Sequence, residues 1–237
     1  MARDKYAHGV FYPDVELICF DGDGTLWNTE EDLLFPVHTE MLAARGHVLT
    51  EEQYRRVIGR RAIEAASIMV ATFGLDDTPE AYMQERRERA NGRLASIGLM
   101  PGVQVLLDRL VPCGASLAIV SAAQEAHITA IAEARDIRRY FKLVVSEETT
   151  GVERTKPRPD PYLFAARHFG AKAHKCVAFE DTAHGAVSAR DAGMRVVGVP
   201  HRFSPREDLL KVCHYVLPEG QTLGDFDLRH IARFLPQ

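Results

Sequence analysis

The chain has 237 residues with 29 Lys+Arg against 33 Asp+Glu, a formal charge of −4 with His neutral. Hydrophobic residues at 46% and charged residues at 26% are ordinary globular proportions, enough for one large domain or two modest ones, so wholesale disorder is excluded. The mildly acidic balance gives no electrostatic footprint for nucleic acid or an anionic membrane, and no apolar run approaches the roughly 18 residues of a membrane span.

The first residues, Met1-Ala2-Arg3-Asp4-Lys5-Tyr6, are charged and no apolar h-region follows, so a cytoplasmic rather than a secreted protein is expected. Cys19, Cys113, Cys176 and Cys213 lie far apart without CxxC spacing. Cys19 and Cys176 fall within apolar runs and read as small buried hydrophobes.

In chain order, apolar runs of strand length occur at 16–20, 116–120, 143–145, 176–179 and 195–199. From 116 onward helical stretches alternate with them. Runs apolar on both faces and separated by helices predict an α/β fold, a Rossmann-like parallel sheet covered by helices on both faces. The interval 30–96 breaks the alternation, with helical patterns and no convincing strand. Thr50-Glu51-Glu52-Gln53 can form a capping box, and Thr78-Pro79 sets a cap residue before a first-turn proline. Leu33, Leu34, Val37, Met41 and Leu42 recur at helical spacing, as do Ile63, Ala66, Ser67 and Val70, and the charged run 83–89 reads as a solvated helix face. Such a block reads equally as an inserted lid or as a long crossover packed on the sheet.

The first run leads straight into Asp21-Gly22-Asp23-Gly24-Thr25-Leu26. Ligands of parallel sheets bind at the carboxyl ends of strands, where both acids would sit. Two carboxylates so close suit a hard cation such as Mg²⁺, or a nucleophile beside a proton carrier. The plain alternative is a glycine-rich turn with solvated acids. Ser121 ends the second run, where a lone Ser reads as a helix N-cap. Lys156 precedes Pro157, a lone Lys there reading as a surface residue, and Asp160-Pro161 suits the cap and first turn of a helix through Phe164 and Ala165. Phe179-Glu180-Asp181-Thr182-Ala183-His184-Gly185 sets two more acids at a strand end before a small-residue helix at 186–193; alone, they would complement the helix dipole.

In this order the four features resemble those of the haloacid dehalogenase superfamily of phosphotransferases. Asp21-Gly22-Asp23-Gly24-Thr25 is similar to its first motif, Ser121 to its second and Lys156-Pro157 to its third. Glu180-Asp181-Thr182-Ala183-His184-Gly185 with Ala192-Gly193-Met194 is similar to its fourth, and the resemblance spans 17–199. It implies a catalytic core of 1–29 and 97–237 and a helical cap of 30–96, which decides for the lid.

The same resemblance implies a Mg²⁺-dependent phosphatase of a small phosphorylated metabolite, in the branch that includes β-phosphoglucomutase. Asp21 would attack the phosphate ester in line to form an aspartyl-phosphate, and Asp23 would protonate the leaving oxygen and then deprotonate water. Mg²⁺ would be held by the Asp21 carboxylate, the Asp23 backbone carbonyl and Asp181, with Glu180 ligating directly or through water. Ser121 and Lys156 would contact the phosphoryl oxygens, Lys156 also steadying Asp21. A sugar phosphomutase would use the same residues, and a catalytically silent metabolite-binding module is the alternative from another class; intact motifs argue against the latter. No nucleic-acid or membrane partner is expected, and the chain is expected as a monomer or weak dimer.

Some positions depart from the family's pattern. Gly22 stands where a large apolar residue is frequent, which predicts a more pliable loop, and Ala122-Ala123 stand where many phosphatases have Asn. Gly59-Arg60-Arg61 interrupts the cap helices, and Arg60 and Arg61 are candidates for a substrate carboxylate or second phosphate, against a reading as solvated arginines. His38, His127 and His184 are assigned to packing or surface. Trp27 either lines the entrance or packs beneath the cap. Glu30-Glu31-Asp32-Leu33-Leu34 lacks the cap His that sugar phosphomutases of the superfamily carry there, so free phosphate is the expected product.

Overall fold

In the computed structural model, which describes residues 15–151, 154–204 and 206–234, every apolar run read above becomes a strand. The N-terminal stretch 1–6 lies outside the described residues. The strands are β1 (Leu17–Phe20), β2 (Ser116–Val120), β3 (Leu143–Val145), β4 (Cys176–Glu180) and β5 (Arg195–Gly198), joined by a two-residue β6 (Tyr215–Val216) too short for its periodicity to be read. All pair in parallel, in the order β3-β2-β1-β4-β5-β6. Strand order therefore reverses between β1 and β4, and the carboxyl ends of these two strands flank the switch point where such sheets bind ligands.

Between β1 and β2 the chain is helical. A π-helical turn, Glu30–Leu34, runs into α1 (Phe35–Ala43), followed by α2 (Glu51–Arg55), α3 (Ala62–Phe73), α4 (Pro79–Ala90) and then α5 (Val103–Leu110). The starts of α2 and α4 follow from their caps. Thr50 Oγ accepts the Gln53 N–H while Gln53 Oε1 accepts the Thr50 N–H, and Thr78 Oγ accepts the Ala81 N–H ahead of Pro79. The run 83–89 is a solvated face only in part. Gln84, Arg87 and Glu88 are exposed, but Glu85 accepts from Arg45 Nη2 at 2.6 Å and from Arg89 Nε at 2.8 Å. Arg86 is half-buried. The reason is packing: α4 lies against both α1 and α3, which draws part of its charged face inward.

Beyond β2 come α6 (Glu125–Ala134), α7 (Glu147–Thr150), α8 (Asp160–His168), α9 (Ala183–Asp191), α10 (Arg206–Leu209) and α11 (Arg229–Phe234). Asp160 is the first residue of α8, with Pro159 rather than Asp160 in the cap position. Alternate strand residues point to opposite faces. Ile18, Phe20, Ile119, Phe179 and Val197 meet α5, α6 and α11 in one apolar cluster; Leu17, Cys19, Ala118, Ala178 and Val196 meet α8 and α9 in another. Alanines 165, 166, 186 and 189 let the second pair of helices approach closely. The first cluster continues without a break through Leu26 and Trp27 to Val37, Met41, Tyr54, Met69 and Tyr82 of the helical interval.

The chain leaves for that interval and returns from it side by side. The Asn28 N–H donates to the Gly98 carbonyl at 2.9 Å, the Gly98 N–H to Asp32 Oδ2 at 2.7 Å, and the Met100 N–H to the Leu26 carbonyl at 3.0 Å. Among the described residues no helix is long and apolar enough to cross a membrane.

Candidate active site

One residue past β1, the Asp21 N–H still donates to the Phe179 carbonyl at 3.0 Å, so the sheet ladder itself fixes this backbone. The chain then folds back: the Gly22 carbonyl accepts the Leu26 N–H at 2.8 Å and the Trp27 N–H at 3.2 Å. Gly24 has φ +81°, and a Cβ there would lie 2.4 Å from Asp181 Oδ2, so both backbone and space require glycine. Asp23 Oδ1 accepts the Trp27 indole N–H at 3.0 Å and the Thr29 hydroxyl. Trp27 is fully buried and also forms part of the cavity wall. A Cβ on Gly22 would lie 2.7 Å from Trp27 Cζ2, so the indole fills the volume that a side chain at residue 22 would occupy.

Lys156 Nζ donates to the Val120 carbonyl at 2.8 Å, to Glu180 Oε1 at 2.6 Å and to Asp21 Oδ1, which matches its three hydrogens with three acceptors. Burial works against its charge, but the Asp21 and Glu180 carboxylates together outweigh burial and hold its pKa above the ordinary value. Ser121 Oγ accepts the Ala123 N–H at 3.1 Å, while Gln124 holds the cap position of α6, so Ser121 does not cap that helix. Its hydroxyl hydrogen is left for the cavity.

Glu180 ends β4 fully buried, its Oε1 also accepting the Tyr162 hydroxyl, while Oε2 has no hydrogen-bond partner among the described residues. Gly185 makes room for this carboxylate, since a Cβ there would lie 2.0 Å from Oε2. Asp181 Oδ2 meets His201 Nε2 at 3.1 Å, and its carbonyl accepts the Ser204 hydroxyl. His201 Nδ1 accepts the Phe203 N–H at 3.3 Å, and burial holds the ring's pKa below the usual histidine value. The hydrogen of the neutral ring is therefore on Nε2, which donates to Asp181.

Carboxylate oxygens of Asp21, Glu180 and Asp181 lie within 4.8 Å of one another. Burial is the largest influence on each and pushes all three carboxyls up; Asp21 adds to the effect at Asp181, and Asp181 adds to it at Glu180. One ammonium does not balance three crowded carboxylates. An all-oxygen donor set with an unpartnered buried oxygen fits a hard divalent cation such as Mg²⁺. The Asp23 carboxylate is held by Trp27 and Thr29 and is not part of this cluster.

A cavity of about 410 Å³ opens over these groups, with Asp21, Asp23, Ser121 and Lys156 on one side and Leu34, Ile58, Arg60, Arg61 and Arg86 on the other. Arg60 and Arg61 are exposed; Arg61 pairs with Glu64 at 2.8 Å, and Arg60 Nε donates to the Arg56 carbonyl at 3.2 Å. Arg86 makes no hydrogen bond or ion pair with any described residue, although Glu30, which accepts the Tyr54 hydroxyl, stands near it. His127 and His184 line the cavity, and His38 is buried away from it, its Nδ1 2.9 Å from the Tyr82 hydroxyl.

A family model described as haloacid dehalogenase-like hydrolase matches residues 18–199. The chain belongs to that family. Within it, Protein CbbY of Rhodobacter capsulatus is 32% identical over 210 residues, 82% of this chain and 89% of that one. (DL)-glycerol-3-phosphatase 2 of Arabidopsis thaliana is 31% identical over 199 residues, 81% of each chain. Among solved structures, a haloacid dehalogenase-like protein from Agrobacterium tumefaciens superposes with a TM-score of 0.78 at 25% identity, over 89% of this chain and 95% of that one. The curated relatives of this haloacid dehalogenase-like chain include several phosphatases and place it among the phosphoric monoester hydrolases.

Proposed function

We propose that the chain is a Mg²⁺-dependent phosphatase of a small phosphorylated metabolite, acting through an aspartyl-phosphate on Asp21. The observation that carries this reading is the state of Asp21: buried at a strand end, Oδ1 held by Lys156, with a second carboxyl two residues on beneath the same cavity. Asp21 Oδ2 attacks phosphorus in line while the bond from phosphorus to the leaving oxygen breaks. Asp23, as the acid, passes its proton to that oxygen; as carboxylate it then takes a proton from the water whose oxygen releases phosphate and restores Asp21. The Ser121 hydroxyl donates to a phosphoryl oxygen, and Lys156 keeps Asp21 in place and its charge balanced. Asp21, Asp181, the Asp23 backbone carbonyl and Glu180, directly or through water, would hold the Mg²⁺, which supplies the positive charge that offsets repulsion between carboxylate and phosphate.

The helical interval 30–96 acts in this reading as a lid on a core of 1–29 and 97–237. Arg86 of this interval lines the cavity and Arg60 and Arg61 stand at its exposed rim, which suits a substrate carrying a second anionic group beyond the phosphate that is cleaved. Leu33 and Leu34 face the cavity where a sugar phosphomutase would present its His, so free phosphate is the expected product.

The test is phosphate release from a panel of phosphorylated metabolites, with and without Mg²⁺, followed by phosphorus NMR. Asp21→Asn should abolish release while the circular dichroism spectrum stays native. Substantial turnover by that folded variant, or an isomeric ester outpacing inorganic phosphate, would overturn the reading.

A further inference from the structure

The two oxygens of Asp23 are treated differently. Oδ1 accepts two donors, the Trp27 indole N–H at 3.0 Å and the Thr29 hydroxyl, whereas Oδ2 takes no hydrogen bond among the described residues. An indole N–H can only donate. Oδ1 must therefore act as an acceptor whether Asp23 is ionised or not, and the proton of the acid form belongs on Oδ2. A hydroxyl such as that of Thr29 could turn and accept instead, so it does not make this distinction by itself.

The indole reaches this place because residue 22 has no side chain. A Cβ on Gly22 would lie 2.7 Å from Trp27 Cζ2 and 3.2 Å from Cε2, and the first of these is nearer than carbon atoms that are not bonded approach. Backbone bonds lock the same pair: the Gly22 carbonyl accepts the Trp27 N–H at 3.2 Å, and the Gly24 N–H donates to the Trp27 carbonyl at 2.8 Å. The terminal torsion of a free aspartate is broad and two-fold, so an unheld carboxyl would present either oxygen.

We infer that Trp27 is a positioning residue that fixes which oxygen of Asp23 carries the proton, and that Gly22 is the residue that admits it. The inference rests on Asp23 being the acid of the proposed reaction. It concerns the first half of that reaction, in which the proton moves from Asp23 Oδ2 to the leaving oxygen as the phosphorus–oxygen bond breaks.

The dependence on leaving group separates this role from packing. An alkoxide needs the proton, whereas p-nitrophenolate leaves unaided, and kcat/KM reports the steps up to that departure. Trp27→Phe keeps a ring but removes the N–H; Gly22→Ala displaces the indole while leaving the Asp23 side chain chemically unchanged, and its contact with Ser121 Cβ at 3.3 Å bears on the phosphoryl group that both esters share. For each, kcat/KM is measured on p-nitrophenyl phosphate and on the alkyl phosphate the wild type hydrolyses best, glycerol 3-phosphate being the first tried. Taking the ratio within one sample cancels any loss of folded protein. Both variants should lose about ten-fold more on the alkyl ester than on the aryl ester, the scale of one hydrogen bond, and Asp23→Asn should show a still larger difference. If Asp23→Asn discriminates between the esters while Trp27→Phe and Gly22→Ala lower both equally, Trp27 only packs and the inference is overturned. Equal losses by Asp23→Asn itself would remove Asp23 as the acid, and the inference with it.

Discussion

His38, on the side of α1 that meets Tyr82 of α4, is 2% exposed, and burial, aided by the Arg86 charge, holds its pKa down at about 3. The folded state thus keeps the ring neutral where the unfolded chain would protonate it. Stability from this group is complete above the ordinary histidine value of about 6.5 and is lost as pH falls toward 3, by on the order of a few kcal/mol. The urea midpoint of the wild type should therefore fall more steeply between pH 7 and 4.5 than that of His38→Gln; equal slopes would acquit this histidine. His201 acts from behind the acidic cluster, its Nε2–H holding Asp181. His201→Ala should weaken Mg²⁺ binding by about ten-fold in calorimetry, as loss of a partner behind a metal ligand does. His201→Gln, whose amide N–H can reach nearly the same point, should recover most of it. Asp21, Ser121, Lys156, Glu180 and Asp181 were legible as polar residues at strand ends or in a proline-stiffened loop. His201 and Arg86 were not, because a loop after β5 and a charged helix give no local signal of what they face once packed.

Among the elements, β1 to β5 were legible because residues buried on both faces leave unbroken apolar runs, whereas β6 is two residues long and leaves none. The caps of α2 and α4 were equally readable, since the Thr50 and Thr78 hydroxyls accept hydrogen bonds from their own first turns. What the pattern of α4 does not reveal is which charges turn inward, because that depends on α1 and α3. Turned inward, Arg86 is a half-buried cation with no hydrogen bond or ion pair among the described residues, and Arg60 and Arg61 lie at the exposed rim. Arg86→Ala should therefore raise KM by about ten-fold or more for a substrate with a second anionic group, the scale of a charge-assisted hydrogen bond. KM for p-nitrophenyl phosphate should change little. If both KM values rise alike, the guanidinium does not read the substrate's far end.

Across the whole molecule, the sheet order sets β1 and β4 side by side and thereby forces Asp21, Glu180 and Asp181 together. Without a cation this crowding opposes folding, since all three carboxyls are pushed up. Mg²⁺ binding to the folded state alone should raise the melting temperature, by about 2.7 kcal/mol of stability at a hundredfold excess over Kd. Asp181→Asn should melt higher than the wild type in chelator and respond little to Mg²⁺. A melting temperature of the wild type indifferent to Mg²⁺ would exclude the cluster as the ion's site.

If the helical interval is the lid proposed above, the side-by-side passage at Asn28 and Gly98 makes it exchangeable. Its two ends are joined by two backbone hydrogen bonds and by the Gly98 N–H to the Asp32 carboxylate, so a different helical insert closed across that neck would leave the sheet's connectivity untouched. The constraint on such grafting lies elsewhere. Leu26, Trp27 and Ile97 share one apolar cluster with the interval's own interior, so an acceptable replacement must supply a greasy underside to lie on them. In that reading, a grafted insert would bring new specificity only if it also fitted this floor.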